Sequence, residues 1–215
     1  MLARLRRIIS TSLYGGVLLQ ELNQDERRAM WPVAPTLSPE HVRECRVFPD
    51  RVAMLDLAPK GGVCAEVGVF LGDFSQAILE RNQPSRLHLI DIEQRFLDGA
   101  RARFPDDVAS GRVSLDLGDS STILRSMPEA YFDWVYIDGD HTYEGCKKDI
   151  EAAADRLKPG GLILLNDYVF FGAADFCKYG VMEVVNEFCL ARGFEFAGLA
   201  LQGRGYFDVA LKRMG

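Results

Sequence analysis

No apolar run in these 215 residues approaches the ~20 needed to cross a bilayer as a helix, so a membrane-spanning role is not expected. The start, residues 1–9, is basic and apolar in turn. It reads as a surface or dimer-contact helix that could support a homo-oligomer, with membrane-surface attachment as the lesser alternative. Positive charge is scarce. The 25 Lys and Arg face 31 Asp and Glu, giving a formal charge of -6, which argues against a nucleic-acid backbone as main partner because phosphate neutralisation needs a basic face. Cysteines are few and scattered: Cys45, Cys64, Cys146, Cys177 and Cys189 form no Cys-x-x-Cys pair. Neither a disulfide framework nor a thiolate zinc site is indicated, and reduced, mostly buried thiols in a cytoplasmic protein are expected. Internal repeats and low-complexity segments are also missing.

What is present is a hydrophobic content of 48%, enough for one core. The division expected is a helical extension over residues 1–58 and one domain over 59–215. In the extension, Ser38 caps a turn with Pro39 at its first position, and Asp50-Arg51 opens a short helix through Val52, Leu55 and Leu57. His41, beside the first cap, is expected in solvent. From Val63 onward short apolar runs alternate with amphipathic segments, the pattern of βαβ units and an α/β sheet. Strands are expected over 63–67, 86–90, 112–117, 132–137 and 162–165, the last preceded by a Lys158-Pro159-Gly160-Gly161 break. A hairpin of two more strands, 194–199 and 206–211, closes the chain. A helix is expected over 93–104, and Tyr143, Cys146, Ile150, Ala153, Ala154 and Leu157 mark another helix's buried face. His88, within the second strand, reads as a core histidine.

The segment Phe132 to His141 draws the most attention. Its apolar strand ends in Asp138, Gly139, Asp140 and His141 together. In an open parallel sheet, ligands bind beyond the carboxyl ends of the strands, so these groups read as a site. A second such place is the loop Glu66, Gly68, Phe70, Gly72 between the first strand and its helix. A dinucleotide loop needs a bare second glycine where the backbone approaches pyrophosphate, and Phe70 stands there. A phosphate-free cofactor is favoured, and S-adenosylmethionine (SAM) has no phosphate to cradle; Glu66 is tolerable near its positive end. Asp91, at the end of the second strand, can accept both ribose hydroxyls. Asp119 with Ser120, after the third, is placed for the adenine edge, for capping a helix, or for both.

Taken together, the Glu66-Val67-Gly68 loop through Gly72, Asp91, Gly118-Asp119-Ser120, the run from Tyr136 to Glu144, and Leu157-Lys158-Pro159-Gly160-Gly161 leading to Asp167-Tyr168 resemble a class I SAM-dependent methyltransferase. Within that fold the chain is most similar to methyltransferase family 24, related to metal-dependent catechol-type and macrolide-sugar O-methyltransferases. The resemblance covers residues 50–211. It implies a Rossmann-like three-layer sandwich whose seven-stranded, mostly parallel sheet has an antiparallel strand seven inserted between strands five and six.

Asp138 and Asp167 then end neighbouring strands about 4.8 Å apart, close enough to share a hard divalent ion, and oxygen ligands favour Mg2+ or manganese over zinc. His141 can take a proton from an acceptor hydroxyl near neutral pH. Catechol-type relatives hold lysine at the matching place, whereas sugar-modifying relatives resemble this chain in having histidine. Tyr168 departs from the catechol-type pattern, which has asparagine there, and leaves Asp140, Asn166 or water as the third ligand. Phe170 and Phe171 suggest a lid or an acceptor wall. The expected activity is methyl transfer from SAM to a small-molecule acceptor, a sugar or natural-product glycoside, assisted by magnesium. An NAD-dependent oxidoreductase and a catalytically silent SAM-binding subunit are the alternatives.

Overall fold

The computed structural model describes residues 23, 25, 33–172 and 177–215, so the helix expected over the first residues lies outside the described part. After a 3-10 turn at Pro39–His41 the chain runs through strand β1 (Arg46–Phe48), helix α1 (Arg51–Met54), a second 3-10 turn at Leu55–Leu57, β2 (Val63–Val67), α2 (Asp73–Arg81), β3 (Arg86–Asp91), α3 (Gln94–Arg103), α4 (Pro105–Ala109), β4 (Val113–Leu117) and α5 (Ser120–Ser126). It continues through β5 (Phe132–Ile137), α6 (Tyr143–Ala154), β6 (Leu157–Leu165), a small hairpin of β7 (Phe171–Gly172) and β8 (Cys177–Lys178), α7 (Val181–Arg192), β9 (Phe194–Leu201) and β10 (Phe207–Arg213).

The main sheet has the order β1-β9-β10-β6-β5-β2-β3-β4. β10 is antiparallel to both β6 and β9, between which it is inserted, and the β2, β3, β4, β5 and β6 pairings are parallel. Central strands with both faces covered must be apolar throughout, and Trp134, Val135 and Tyr136 of β5 are wholly buried. Alternate residues feed two cores. Ala65, Val67, Val135 and Ile137 pack with Ile150, Val184 and Val185 of α6 and α7, while Cys64, Trp134 and Tyr136 pack with Met54, Leu55, Phe74 and Ile78. Helices on both faces of one sheet make the three-layer sandwich expected.

Four details differ from the sequence reading. The sheet has eight strands, because β1 adds to the edge beside β9 from within the segment read as purely helical. Three residues with an exposed, exposed, buried pattern carry no readable period. The Lys158-Pro159-Gly160-Gly161 segment lies inside β6: Phe132 pairs with Leu157 and Trp134 with Leu162, so the break is a bulge within the strand. The helix expected over 93–104 ends at Arg103, and Pro105 opens a separate turn of helix. His41 is buried, with its Nδ1 2.6 Å from the Ser38 hydroxyl, rather than solvated. Asp50 caps α1 as read, accepting from the Ala53 N–H.

Candidate active site

The carboxyl ends of β2, β3, β4 and β5 open onto a cleft of about 610 Å3, within the size range of small-molecule sites. Its floor is the turn after β2. Gly68 has φ +83°, and a Cβ there would lie 2.0 Å from the Asp138 carbonyl oxygen, so only glycine lets the loop lie against the tip of β5. Phe70 also adopts a left-handed φ of +48° and packs edge-on to Phe96, ring centroids 5.1 Å apart, along one rim. A non-glycine residue in that region is strained by about 1–2 kcal/mol, which the surrounding turn must offset.

Asp91 folds that turn. Its Oδ2 accepts from the Val69 N–H at 2.8 Å and its Oδ1 from the Glu93 N–H at 2.8 Å; Glu93 lines the cleft, while Val69 packs into the core beneath the turn. Oδ2 also takes a long bond from the Phe70 N–H at 3.5 Å, whereas Oδ1 keeps a lone pair for a ligand hydroxyl. Asp119 caps α5 through the Thr122 N–H at 2.8 Å and also accepts from the Ser121 hydroxyl, and these bonds hold its carboxyl below the usual range. Ser120 is hydrogen-bonded to Asp149, a buried carboxyl pushed up to about 6 mainly by its burial.

At the neighbouring tips of β5 and β6 several polar groups converge. His141 Nε2 lies 3.6 Å from Asp138 Oδ1 and 3.5 Å from Asp167 Oδ2, and its ring stacks on Tyr179 with centroids 4.6 Å apart. The Asn166 side-chain amide donates to Asp138 Oδ1 at 2.8 Å. On the other side, Arg51 reaches in from α1: one guanidinium nitrogen donates to the Tyr136 hydroxyl at 3.1 Å and to Asp138 Oδ2 at 3.3 Å, with the guanidinium over the Phe74 ring. Burial pushes the Asp138 carboxyl up to about 7, with Asp167 adding and Arg51 opposing. Tyr136 in turn donates to Asp208 Oδ2 at 2.9 Å. Asp167 itself sits at φ +55°, a strained position for a residue with a side chain and one of the kind that collects at functional sites.

The fold is shared with known proteins. Residues 65–168 match the methyltransferase family 24 model, described as a methyltransferase domain. The match covers just under half of the chain, and together with the fold it supports a class I SAM-dependent methyltransferase. Among solved structures, the O-methyltransferase TomG from Streptomyces achromogenes, determined in complex with SAM, aligns over 96% of this chain and 95% of its own at 21% identity with a TM-score of 0.60. A protein described as a putative rRNA-methylase from Clostridium thermocellum aligns over 76% of this chain and 93% of its own at 14% identity and a TM-score of 0.61. Spermidine synthase 1 of Pisum sativum is 25% identical over 100 residues, which are 43% of this chain; the match spans only 30% of that relative's length.

Gly68, Phe70, Asp91, Asp119, Ser120 and Asp138 line one cleft, joined by Ile90, Ile92 and Gly139. Two residues expected there do not line it. Glu66 is buried behind the loop, bonded to the Ser75 hydroxyl, with its carboxyl pushed up to about 8 mainly by burial. Gly72 is the left-handed residue that begins α2. Asp140, weighed as a metal ligand, accepts from the N–H of Thr142, the residue that caps α6, at 2.8 Å. Tyr168 donates to Asn186 at 2.7 Å and is part of the packing. His88 is a core histidine as read, set between Asp116 and Tyr131.

Magnesium at Asp138 and Asp167 fits the donor set poorly. Both Asp138 oxygens already accept hydrogen bonds, from Asn166 and Arg51, and among the described residues no group of three or more His, Cys, Asp and Glu side chains is arranged to hold a metal. Arg51 went unread in the sequence because it lies 87 positions from Asp138, and a lone arginine opening a short helix carries no motif. No described helix is long and apolar enough to cross a membrane.

Proposed function

We propose that this domain binds SAM in the cleft and transfers its methyl group to a hydroxyl oxygen of a small molecule, a sugar or natural-product glycoside, in a cytoplasmic setting. The observation that carries the reading is the convergence of His141 with Asp138 and Asp167 beside a cleft floored by Gly68 and edged by Asp91. The fit is chemical as well as spatial. Asp91 offers an acceptor to a ribose hydroxyl, Ile90, Ile92 and Phe96 give the adenine apolar surfaces, and Asp119 and Ser120 stand at the same wall. Acidic groups suit a cationic sulfonium, and the exposed Phe70 side chain crowds the place where a pyrophosphate backbone approach would be needed, which counts against an NAD enzyme.

When bound, SAM supplies an electrophilic methyl group, and the chain's part is alignment and removal of one proton. His141, held by stacking on Tyr179 and placed between two carboxylates, accepts the acceptor hydroxyl's proton; Asp138 and Asp167 stabilise the imidazolium that results. No step is assigned to magnesium.

Isothermal titration with S-adenosylhomocysteine tests the cofactor reading: binding at micromolar concentration supports it and absence of heat removes it. Transfer of label from SAM to a panel of hydroxylated sugars and glycosides tests the acceptor class. His141→Ala is expected to lower turnover by about 10²–10⁴-fold while leaving S-adenosylhomocysteine affinity within about twofold. A wild-type chain that binds the cofactor and transfers methyl groups to none of the panel would favour the silent-subunit alternative.

A further inference from the structure

The β5 tip holds a fixed positive charge from a part of the chain outside the βαβ core. Asp50 caps α1 by accepting from the Ala53 N–H at 2.8 Å, and this sets the direction in which the next residue, Arg51, leaves the helix. Its guanidinium crosses the Phe74 ring, 4.7 Å from the centroid, and ends at the Tyr136 hydroxyl and Asp138 Oδ2. Tyr136 is wholly buried and its hydroxyl hydrogen goes to Asp208, so its oxygen is oriented to receive Arg51. The cation is thus held by a ring face, a phenol and a carboxylate at once. Asn166 covers the remaining Asp138 oxygen. Each of these oxygens keeps a second lone pair, but a divalent ion there would stand about 5 Å from the Arg51 guanidinium, two cations facing each other in poorly screened space.

We propose that Arg51 is the resident cation of this site: a positioning residue that fixes the Asp138 carboxylate beside His141 and whose charge, 3.3 Å from Asp138 Oδ2, repels a divalent ion from that carboxylate, so that the domain works without a bound metal. This deepens the methyltransferase reading, yet its central claim concerns cation occupancy and can be measured without turnover. Arginine suits the task because its planar, permanently charged group stacks on Phe74 while donating at its edge, a geometry lysine reproduces only in charge.

The test titrates Mn2+ into the full chain and follows the free-ion signal by electron paramagnetic resonance. The wild-type chain is expected to leave that signal unchanged. Arg51→Gln is expected to gain one Mn2+ equivalent per chain, Arg51→Lys to gain none, and Arg51→Gln combined with Asp138→Asn to lose the gained site. A wild-type chain that binds one Mn2+ equivalent removed by Asp138→Asn overturns the proposal, as does a folded Arg51→Gln chain that gains none. The wild-type titration decides the first of these even where a variant fails to fold. S-adenosylhomocysteine calorimetry on the same samples keeps the two readings apart, because failure to bind cofactor leaves the Mn2+ result standing, and the reverse holds too.

Discussion

Gly68 shows how a single side chain's absence sets up the site. Its φ of +83° and the 2.0 Å separation between a would-be Cβ and the Asp138 carbonyl leave no room for a methyl group. Gly68→Ala is expected to destabilise the fold by about 1–3 kcal/mol from backbone strain alone and to abolish S-adenosylhomocysteine binding, checked by urea unfolding and calorimetry. An alanine variant that binds as the parent does would mean the turn is not the cofactor floor. The glycine, Asp91, Asp138 and His141 were legible in the sequence because each follows an apolar strand, where side chains emerge at the ligand edge of a parallel sheet. Arg51 and Tyr179 were not. They meet the site through packing between segments far apart in the chain, and nothing in their neighbours' identities announces it. Glu66 misled for a related reason: a carboxylate in a strand points to one face or the other, and here the face is the core, where Ser75 receives it.

At the scale of elements, the β7–β8 hairpin is tied to the site by backbone. Gly180 N–H donates to the His141 carbonyl at 2.8 Å, Tyr179 N–H donates to the Phe170 carbonyl at 2.9 Å, and the Tyr179 ring covers His141. A Cβ on Gly180 would fall 2.4 Å from the Tyr143 backbone at the start of α6, so the hairpin can rest on that helix only through glycine. Gly180→Ala is expected to push the hairpin outward, raising the acceptor KM or lowering turnover several-fold while S-adenosylhomocysteine affinity stays within about twofold, since Tyr179 stacks on His141 and does not line the cleft of Asp91 and Asp119. Equal loss of both would assign the hairpin to cofactor binding instead. Phe170 and Phe171 suggest a lid or an acceptor wall from sequence; Phe171 lies in β7 and Phe170 just before it. The β6 bulge belongs to the same scale: proline and glycine signal a break, but whether the break precedes a strand or interrupts it depends on the partner strand's register.

For the molecule as a whole, buried carboxyls make stability depend on pH. Glu66 rises from an ordinary 4.5 to about 8 and Asp149 from 3.8 to about 6, both chiefly through burial. A raised folded-state value means that the folded chain binds the proton more tightly than the unfolded one. The resulting stabilisation is complete below about pH 4 and is lost as pH rises, through about 6 for Asp149 and about 8 for Glu66. Thermal unfolding is therefore expected at lower temperature at pH 8.5 than at pH 6, and Glu66→Gln, which keeps an acceptor for Ser75, is expected to flatten the decline. A variant with the parent's pH slope would place the effect elsewhere.

By itself the sequence determined the βαβ succession, the insertion of an antiparallel last strand through its family resemblance, and the strand-end positions of Asp91, Asp138, His141 and Asp167. These follow from local rules, because hydrophobic period fixes strand and helix and a parallel sheet fixes which strand ends meet ligands. Only the tertiary structure decided the eighth strand, the inward turn of Glu66, and the pairing of Arg51 with Asp138 across 87 positions. Those depend on which surfaces face one another after packing, and a chain's local pattern carries no record of the neighbour that burial will supply.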